Sequence, residues 1–140
     1  MVNLLTNVAE YAIILNEKNE FILVQWGEEF GSSWHFPGGR MDNGEKATQG
    51  LLREVREELS AQIVDIKPAC THNIFGDELR EPNMEPRYGI FYFAKLSKRS
   101  QLKIDNDEHV AYKWFSRKDL PTIKFWLPFY RKLLEDVLPK

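Results

Sequence analysis

A glycine turn followed directly by an acidic amphipathic segment is the feature that most constrains this chain. The segment from Phe36 to Leu59 reads FPGGRMDNGEKATQGLLREVREEL. On a helical wheel, five positions of this segment form an apolar stripe within an arc of about 100°. These positions are Thr48, Leu51, Leu52, Val55 and Leu59. The stripe predicts a helix that packs against the core of a layered domain.

Three carboxylates, those of Glu54, Glu57 and Glu58, share a second arc beside the apolar stripe, because they stand in i, i+3, i+4 relation. Like charges at this spacing repel by a few tenths of a kcal/mol per pair. One interpretation is a solvated face on which Arg53 pairs with Glu57; the other is a bound divalent cation. Gly50 falls on the same arc, where a missing side chain would leave room for a ligand.

The turn before the helix, PGGR, favours the second interpretation. Gly38 and Gly39 can adopt positive φ and bring backbone N–H groups close to an anion. A Pro-Gly-Gly run is also common in ordinary turns, so this signal has weight only together with the carboxylates.

The rest of the chain predicts a sheet with two helices. Apolar runs at about Val8–Leu15 and Phe21–Trp26 predict two strands joined by a short reversal. Residues 61–75, 87–97 and 111–116 are also strand-like. A terminal helix is predicted over roughly Pro128–Leu138, and an exposed loop over Gly76–Arg87. This order predicts one α+β domain, residues 1–140, with a mixed sheet covered on both faces.

Composition narrows the possible partners and the compartment. Nineteen basic against 21 acidic residues leave a net charge of −2, which argues against a nucleic-acid polymer or an anionic membrane as partner. The N-terminal segment has no basic start and is interrupted by Glu10, so we expect a cytoplasmic protein, monomeric or homodimeric.

Cys70 is the single cysteine and predicts a buried thiol without a disulfide. The three histidines, at 35, 72 and 109, have no ligand spacing and are expected to be structural or exposed.

Together the turn and helix resemble the Nudix box, the loop–helix–loop motif G-x5-E-x7-R-E-U-x-E-E-x-G-U of the Nudix (MutT-like) hydrolase family, where U is a bulky aliphatic residue. Seven of the nine specified positions match. They are Gly39, Glu45, Arg53, Glu54, Val55, Glu57 and Glu58. The departures are Ser60 for the second glycine and Ala61 for the last aliphatic residue; Ser60 would be strained if this position requires a left-handed backbone.

The resemblance implies the Nudix fold, a mixed β-sheet sandwiched between α-helices, and hydrolysis of a nucleoside diphosphate linked to a group X with Mg²⁺ or Mn²⁺. By this resemblance Glu57 and Glu58 are the first choices as metal ligands, and Glu54 either completes the metal site or acts as the base. Arg53 is expected to orient Glu57. Glu45 either braces the loop or is an acidic residue favoured near a helix N-terminus.

Further site residues are expected outside the box. Several relatives place a metal-binding or base glutamate in a loop just before a late strand, and Glu108, six residues before Trp114, is the candidate here. Aromatic residues of VQWGEEFGSSWHF could stack a nucleobase or belong to the core. The expected substrate contacts are Trp34, Gly38, Gly39 and Arg40.

The substrate is expected to be a nucleotide-type diphosphate. A chain with little beyond the fold suits a nucleoside triphosphate pyrophosphohydrolase that yields the monophosphate and pyrophosphate. The alternatives are a nucleotide-sugar or ADP-ribose diphosphate hydrolase and a non-catalytic nucleotide-binding module. The last is disfavoured because no carboxylate of the box is lost.

Overall fold

The structure, a computed structural model, describes residues 7–79 and 84–140. Over these residues the chain forms seven strands and two α-helices. The strands are β1 (Val8–Ile14), β2 (Phe21–Trp26), β3 (Trp34–His35), β4 (Gly38–Arg40), β5 (Ile63–Ile74), β6 (Arg87–Leu96) and β7 (His109–Phe115). The helices are α1 (Gln49–Leu59) and α2 (Phe129–Val137).

The strands pair into two sheets. The first is mixed, in the order β4-β1-β6-β5, with β1 parallel to β6 and antiparallel to β4. The second, β3-β2-β7, is antiparallel. The predicted reversal after β1 is present, since Asn16 N–H donates to the Glu20 carbonyl at 3.1 Å, but β1 and β2 then join different sheets. The predicted α+β class with a mixed sheet is confirmed.

The helices cover opposite sides of the central strands. Successive side chains of a strand point to opposite faces, so β1 supplies two buried surfaces. Ala9 and Ile13 pack in the cluster that contains Tyr130 of α2. Ala12 and Ile14 pack in the cluster with the apolar stripe of α1. The prediction of a sheet sandwiched between helices is therefore confirmed, and each helix has its own core.

The acidic helix α1 matches its predicted stripe, with Leu51, Val55 and Leu59 fully buried. Thr48 lies just before the helix at φ +65°. The helix ends at Ser60, whose φ of +55° is left-handed and whose N–H donates to the Arg56 carbonyl at 3.0 Å. The motif's missing glycine thus falls at a position that favours glycine, so the condition under which strain was expected at Ser60 is met.

The C-terminal helix begins one residue later and ends one residue earlier than predicted. In the predicted loop, residues 76–78 form a short 3-10 turn, and residues 80–83 lie outside the described residues, as do residues 1–6 at the start of the chain.

Cys70 is half-buried rather than buried, and burial raises the pKa of its thiol. Neither α1 nor α2 has the length and apolar character that crossing a membrane requires.

Candidate active site

A cleft of about 440 Å³ opens where α1, β4 and the start of β7 meet. Its lining combines acidic, basic, aromatic and imidazole side chains with two glycines of β4. The lining residues are Asp42, Glu54, Glu58 and Glu108, Arg40 and Arg87, Tyr11, Trp26, Phe30 and Trp126, His35 and His109, and Gly38 and Gly39. Three of the four carboxylates predicted to bind metal and three of the four expected substrate contacts are therefore brought together.

The two glycines let helix α1 approach β4. Gly38 has a φ of +135°, and a Cβ there would collide with the backbone carbonyl oxygen of Glu10. Its N–H donates to Glu58 Oε1 at 2.8 Å. A Cβ on Gly39 would lie 3.1 Å from the Glu54 carboxylate. The anion that the sequence predicted beside this turn is thus one of the chain's own carboxylates.

The three helix carboxylates are not equivalent. The side chain of Glu58 is 7% exposed, that of Glu54 is 21% exposed and that of Glu57 is 59% exposed. Glu58 and Glu54 line the cleft, whereas Glu57 lies on the exposed side of α1 and does not. The arc seen on the helical wheel therefore runs from the floor of the cleft to solvent.

Burial controls the protonation of the two cleft carboxylates. It raises the pKa of Glu54 to about 7, although the neighbouring Arg53 acts in the opposite direction. It also raises the pKa of Glu58 well above its usual range, against the hydrogen bond from the Gly38 N–H. Glu58 Oε2 is buried and has no hydrogen-bond partner among the described residues. An unpartnered buried oxygen beside a second carboxylate fits a hard divalent cation such as Mg²⁺ or Mn²⁺.

Arg53 ties together four carboxylates at the rim of the cleft. Its Nε contacts Glu45 Oε2 at 2.9 Å, and its Nη1 contacts Glu54 Oε1 at 3.1 Å and Glu57 Oε2 at 3.3 Å. Its Nη2 lies 3.4 Å from Asp42 Oδ2. The pair with Glu57 is present, but the shortest contact is with Glu45. Glu45 lies before α1 and accepts the Asp42 N–H at 2.6 Å, so it braces the loop.

Gly50 has a different role from the predicted one. It is buried, and a Cβ there would lie 2.8 Å from Glu45 Oε1 and 3.6 Å from Glu10 Oε1. It does not line the cleft. The expectation that Gly50 leaves room for a ligand is wrong, because the space is taken by the loop-bracing carboxylate.

The aromatic residues divide between the cleft and the core. Trp26 lines the cleft with its ring centroid 5.2 Å from that of Phe30 and 5.8 Å from that of Trp126. Phe36 is fully buried in the core. Trp34, the expected substrate contact, is not among the lining residues; its ring packs edge-on against a phenylalanine of β7 at 5.0 Å. The cleft is therefore lined by Trp26 at the end of β2, by Phe30 in the loop that follows, and by Trp126, which precedes α2.

Two histidines without any ligand spacing in the sequence meet in the cleft. His35 Nε2 and His109 Nε2 lie 2.9 Å apart, and both rings are buried. Burial and the neighbouring ring lower the pKa of His35 to about 3, and burial lowers that of His109 to about 4. No spacing rule could have paired residues 74 positions apart. His72 lies elsewhere, 2.7 Å from Glu78 Oε2.

Charged residues complete the rim. Arg40 lines the cleft while its Nη2 pairs with Glu85 Oε2 at 2.9 Å. Arg87, the first residue of β6, also lines the cleft, at the end of the predicted loop. Glu108 is exposed and lies directly before β7, which begins two residues earlier than predicted. Tyr11 of β1 also lines the cleft. It was not predicted as a site residue, because it lies within an apolar run of the sequence that was expected to form a strand.

Comparison with known proteins agrees with this geometry. Residues 6–137 match the NUDIX domain. The chain is 30% identical over 141 residues to an RNA pyrophosphohydrolase of a Nitratiruptor species, covering 92% of this chain and 90% of that protein. It is 32% identical over 111 residues to the 8-oxo-dGDP phosphatase NUDT18 of Danio rerio, covering 76% of this chain but 31% of that protein. The chain thus spans about a third of the length of the latter relative.

Solved structures show the same fold. The MutT protein from Methanosarcina mazei Go1 superposes with a TM-score of 0.71 at 25% identity, covering 93% of this chain and 91% of that one. The family match extends from before β1 to the last residue of α2 and includes the box residues that line the cleft, Gly39, Glu54 and Glu58. The chain therefore belongs to the NUDIX family of hydrolases, enzymes that act on phosphoric anhydride bonds.

Proposed function

We propose that this chain is a metal-dependent nucleoside triphosphate pyrophosphohydrolase that releases a nucleoside monophosphate and pyrophosphate. The supporting observation is that one cleft joins buried carboxylates to an aromatic group. Trp26 stacks on His109 with centroids 4.7 Å apart, and His109 Nε2 lies 3.5 Å from Glu58 Oε2. The imidazole ring of His109 thus lies between the aromatic end of the cleft, at Trp26, and its acidic end, at Glu58. A nucleotide lying along the cleft would place its base on the aromatic residues and its phosphates beside α1.

The acidic end needs a cation before it can accept phosphates, because both are negatively charged. Glu58 and Glu54 would hold Mg²⁺ or Mn²⁺ from the floor of the cleft, with Glu108 contributing from the rim. Glu57, which does not line the cleft, would act through its pair with Arg53. A divalent ion bound there would neutralise phosphate charge and lower the barrier to in-line displacement. Arg40 lines the same cleft and adds positive charge beside the phosphates.

Glu54 is the proposed general base. Burial raises the pKa of its carboxyl to about 7 in the metal-free protein, and one carboxylate oxygen can accept a proton from water while the other contacts the ion that Glu58 holds. Its carboxylate is held between Arg53 and Gly39, whereas Glu108 is exposed and better suited to ligation at the rim. Glu54 takes a proton from water, the water oxygen bonds to phosphorus, and the anhydride bond between the α and β phosphates breaks.

A substrate panel tests this proposal. Ribo- and deoxyribonucleoside triphosphates, nucleotide sugars, ADP-ribose and dinucleoside polyphosphates are incubated with Mg²⁺ or with EDTA, and products are separated by anion-exchange chromatography. We expect triphosphates to give equal amounts of monophosphate and pyrophosphate, with Mg²⁺ only. Faster cleavage of nucleotide sugars or ADP-ribose would show that the substrate is a diphosphate-linked compound of this kind rather than a triphosphate. Nucleotide binding without turnover of any compound would favour a non-catalytic module.

A further inference from the structure

We infer that His35, His109 and Glu58 form a second type of metal site in this cleft, selective for a divalent transition metal such as Zn²⁺. The inference goes beyond the proposed hydrolysis, which uses neither imidazole. One ligand atom from each residue, a ring nitrogen or a carboxylate oxygen, lies within 4.8 Å of the other two. Two imidazoles and one carboxylate are a ligand set that Zn²⁺ accepts with a fourth position open.

The distances suit one small ion. Zn²⁺ binds histidine nitrogen at about 2.0–2.1 Å, which in tetrahedral geometry places neighbouring donor atoms about 3.3 Å apart. Glu58 Oε2 and His109 Nε2 are 3.5 Å apart, and the two histidine Nε2 atoms are 2.9 Å apart. The third pair, His35 with Glu58, lies within 4.8 Å, so ion binding would draw these two side chains together. All three residues line the cleft, so the fourth position opens into it.

A hydrogen bond from His109 to Asn106 fixes the tautomer of His109. Asn106 Oδ1 accepts the backbone N–H groups of Glu108 at 3.1 Å and of His109 at 2.9 Å, which identifies this atom as the amide oxygen. It lies 3.0 Å from His109 Nδ1, so Nδ1 bears the proton and Nε2 presents a lone pair. Metal-binding histidines are oriented in this way by an acceptor on their other ring nitrogen.

The site is also held rigidly by aromatic stacking. Trp26 stacks on His35 and His109 with interplanar angles of 16° and 30°. Glu58 Oε2 is buried without a hydrogen-bond partner among the described residues. Without an ion, His35 donates its Nε2 proton to His109 Nε2; on metal binding that proton moves to His35 Nδ1.

The ligand type separates this site from the Mg²⁺ site. Imidazole nitrogen suits Zn²⁺, Co²⁺ and Ni²⁺, whereas Mg²⁺ prefers oxygen. Glu58 is shared between the two ligand sets. Occupation by Zn²⁺ therefore withdraws Glu58 from Mg²⁺, and the two ions compete.

Titration of the untagged, EDTA-treated protein with Co²⁺ tests the inference. We expect one Co²⁺ per chain with visible absorption typical of four or five ligands, and displacement by Zn²⁺. His35→Gln or His109→Gln should weaken Co²⁺ binding at least about tenfold, and Asn106→Ala by about 10–100-fold. His72→Gln is the matched control and should bind as the wild type does.

Equal Co²⁺ affinity in the wild type and both cleft-histidine variants, or dependence on Glu58 alone, would overturn the inference. If a variant fails to fold, the ring proton resonances of the wild type serve instead. Those of His35 and His109 should shift on addition of Zn²⁺ while those of His72 stay unchanged; unshifted cleft histidines would be equally decisive. Neither readout requires substrate, so the result is independent of whether triphosphates are hydrolysed.

Discussion

Replacing Glu58 by glutamine separates the folding role of this residue from its metal-binding role. The side chain is 7% exposed; Oε1 accepts the Gly38 N–H at 2.8 Å, and Oε2 is unpartnered among the described residues. Glutamine has the same shape, retains an oxygen for Gly38 and removes the ionisable group from the buried site. We therefore expect the metal-free variant to match or exceed the wild type in free energy of unfolding, within about 1 kcal/mol.

The magnitude of the functional loss follows from metal binding. At a Mg²⁺ concentration about 100 times its Kd, the ion stabilises the wild type by about 2.7 kcal/mol. At about 4 °C per kcal/mol for a domain of this size, this corresponds to a rise in Tm of about 10 °C. Glu58→Gln should lose most of that rise. If the ligand contributes about 3–4 kcal/mol to the transition state, kcat/KM falls by about 10²–10³-fold.

Thermal unfolding with MgCl₂ or EDTA, together with initial rates on triphosphates, measures both effects. Glu135→Gln on α2 is the matched control, since it makes the same chemical change at an exposed position. A Glu58→Gln variant with wild-type kcat/KM at saturating Mg²⁺, or with the full metal-dependent rise in Tm, would refute the assignment of Glu58 as a ligand.

Three further predictions follow from the geometry. Ser60→Gly should stabilise the protein by about 0.5–1 kcal/mol in urea unfolding, because the position is left-handed, whereas Ser60→Ala should not. Arg53→Lys should lower activity or apparent Mg²⁺ affinity about 10–100-fold, because lysine cannot hold several carboxylates in a fixed fork; a wild-type Mg²⁺ dependence would contradict this. Burial raises the pKa of Glu54 to about 7 and that of Glu58 well above its usual range. In EDTA the free energy of unfolding should therefore fall as the pH rises from about 6.5 to 8; an unchanged or rising value would contradict this.

Much of the fold could be predicted because it depends on local periodicity. The stripe through Leu51, Val55 and Leu59 and the C-terminal helix follow from sequence spacing alone. The division into two sheets could not be predicted, because strand partners are set by tertiary packing. The sequence predicts a turn at Gly38–Arg40, whereas the structure has strand β4 there. This strand is only three residues long and forms because it pairs with β1, where Glu10 lies opposite Gly39.

The candidate site could be predicted only where its residues share one helix or one turn. The wheel groups Glu54, Glu57 and Glu58, but it cannot rank them, since their burial depends on how closely β4 approaches α1. The helical wheel also predicts that Gly50 lies beside a ligand. In the structure the group nearest to Gly50 is instead the carboxylate of Glu45, from the loop before α1. The pairing of His35 with a histidine 74 residues away requires the fold itself.

Crystals grown with Mn²⁺ and a non-hydrolysable nucleoside triphosphate analogue would locate the bound metal through the anomalous scattering of manganese. We expect an anomalous peak at about 2.1–2.3 Å from Glu58 Oε2, shared with a carboxylate oxygen of Glu54 and with phosphate oxygens of the analogue, while the base lies against Trp26. Manganese bound only to exposed carboxylates such as Asp105, with Glu58 Oε2 unliganded and the phosphates outside the cleft, would contradict this expectation.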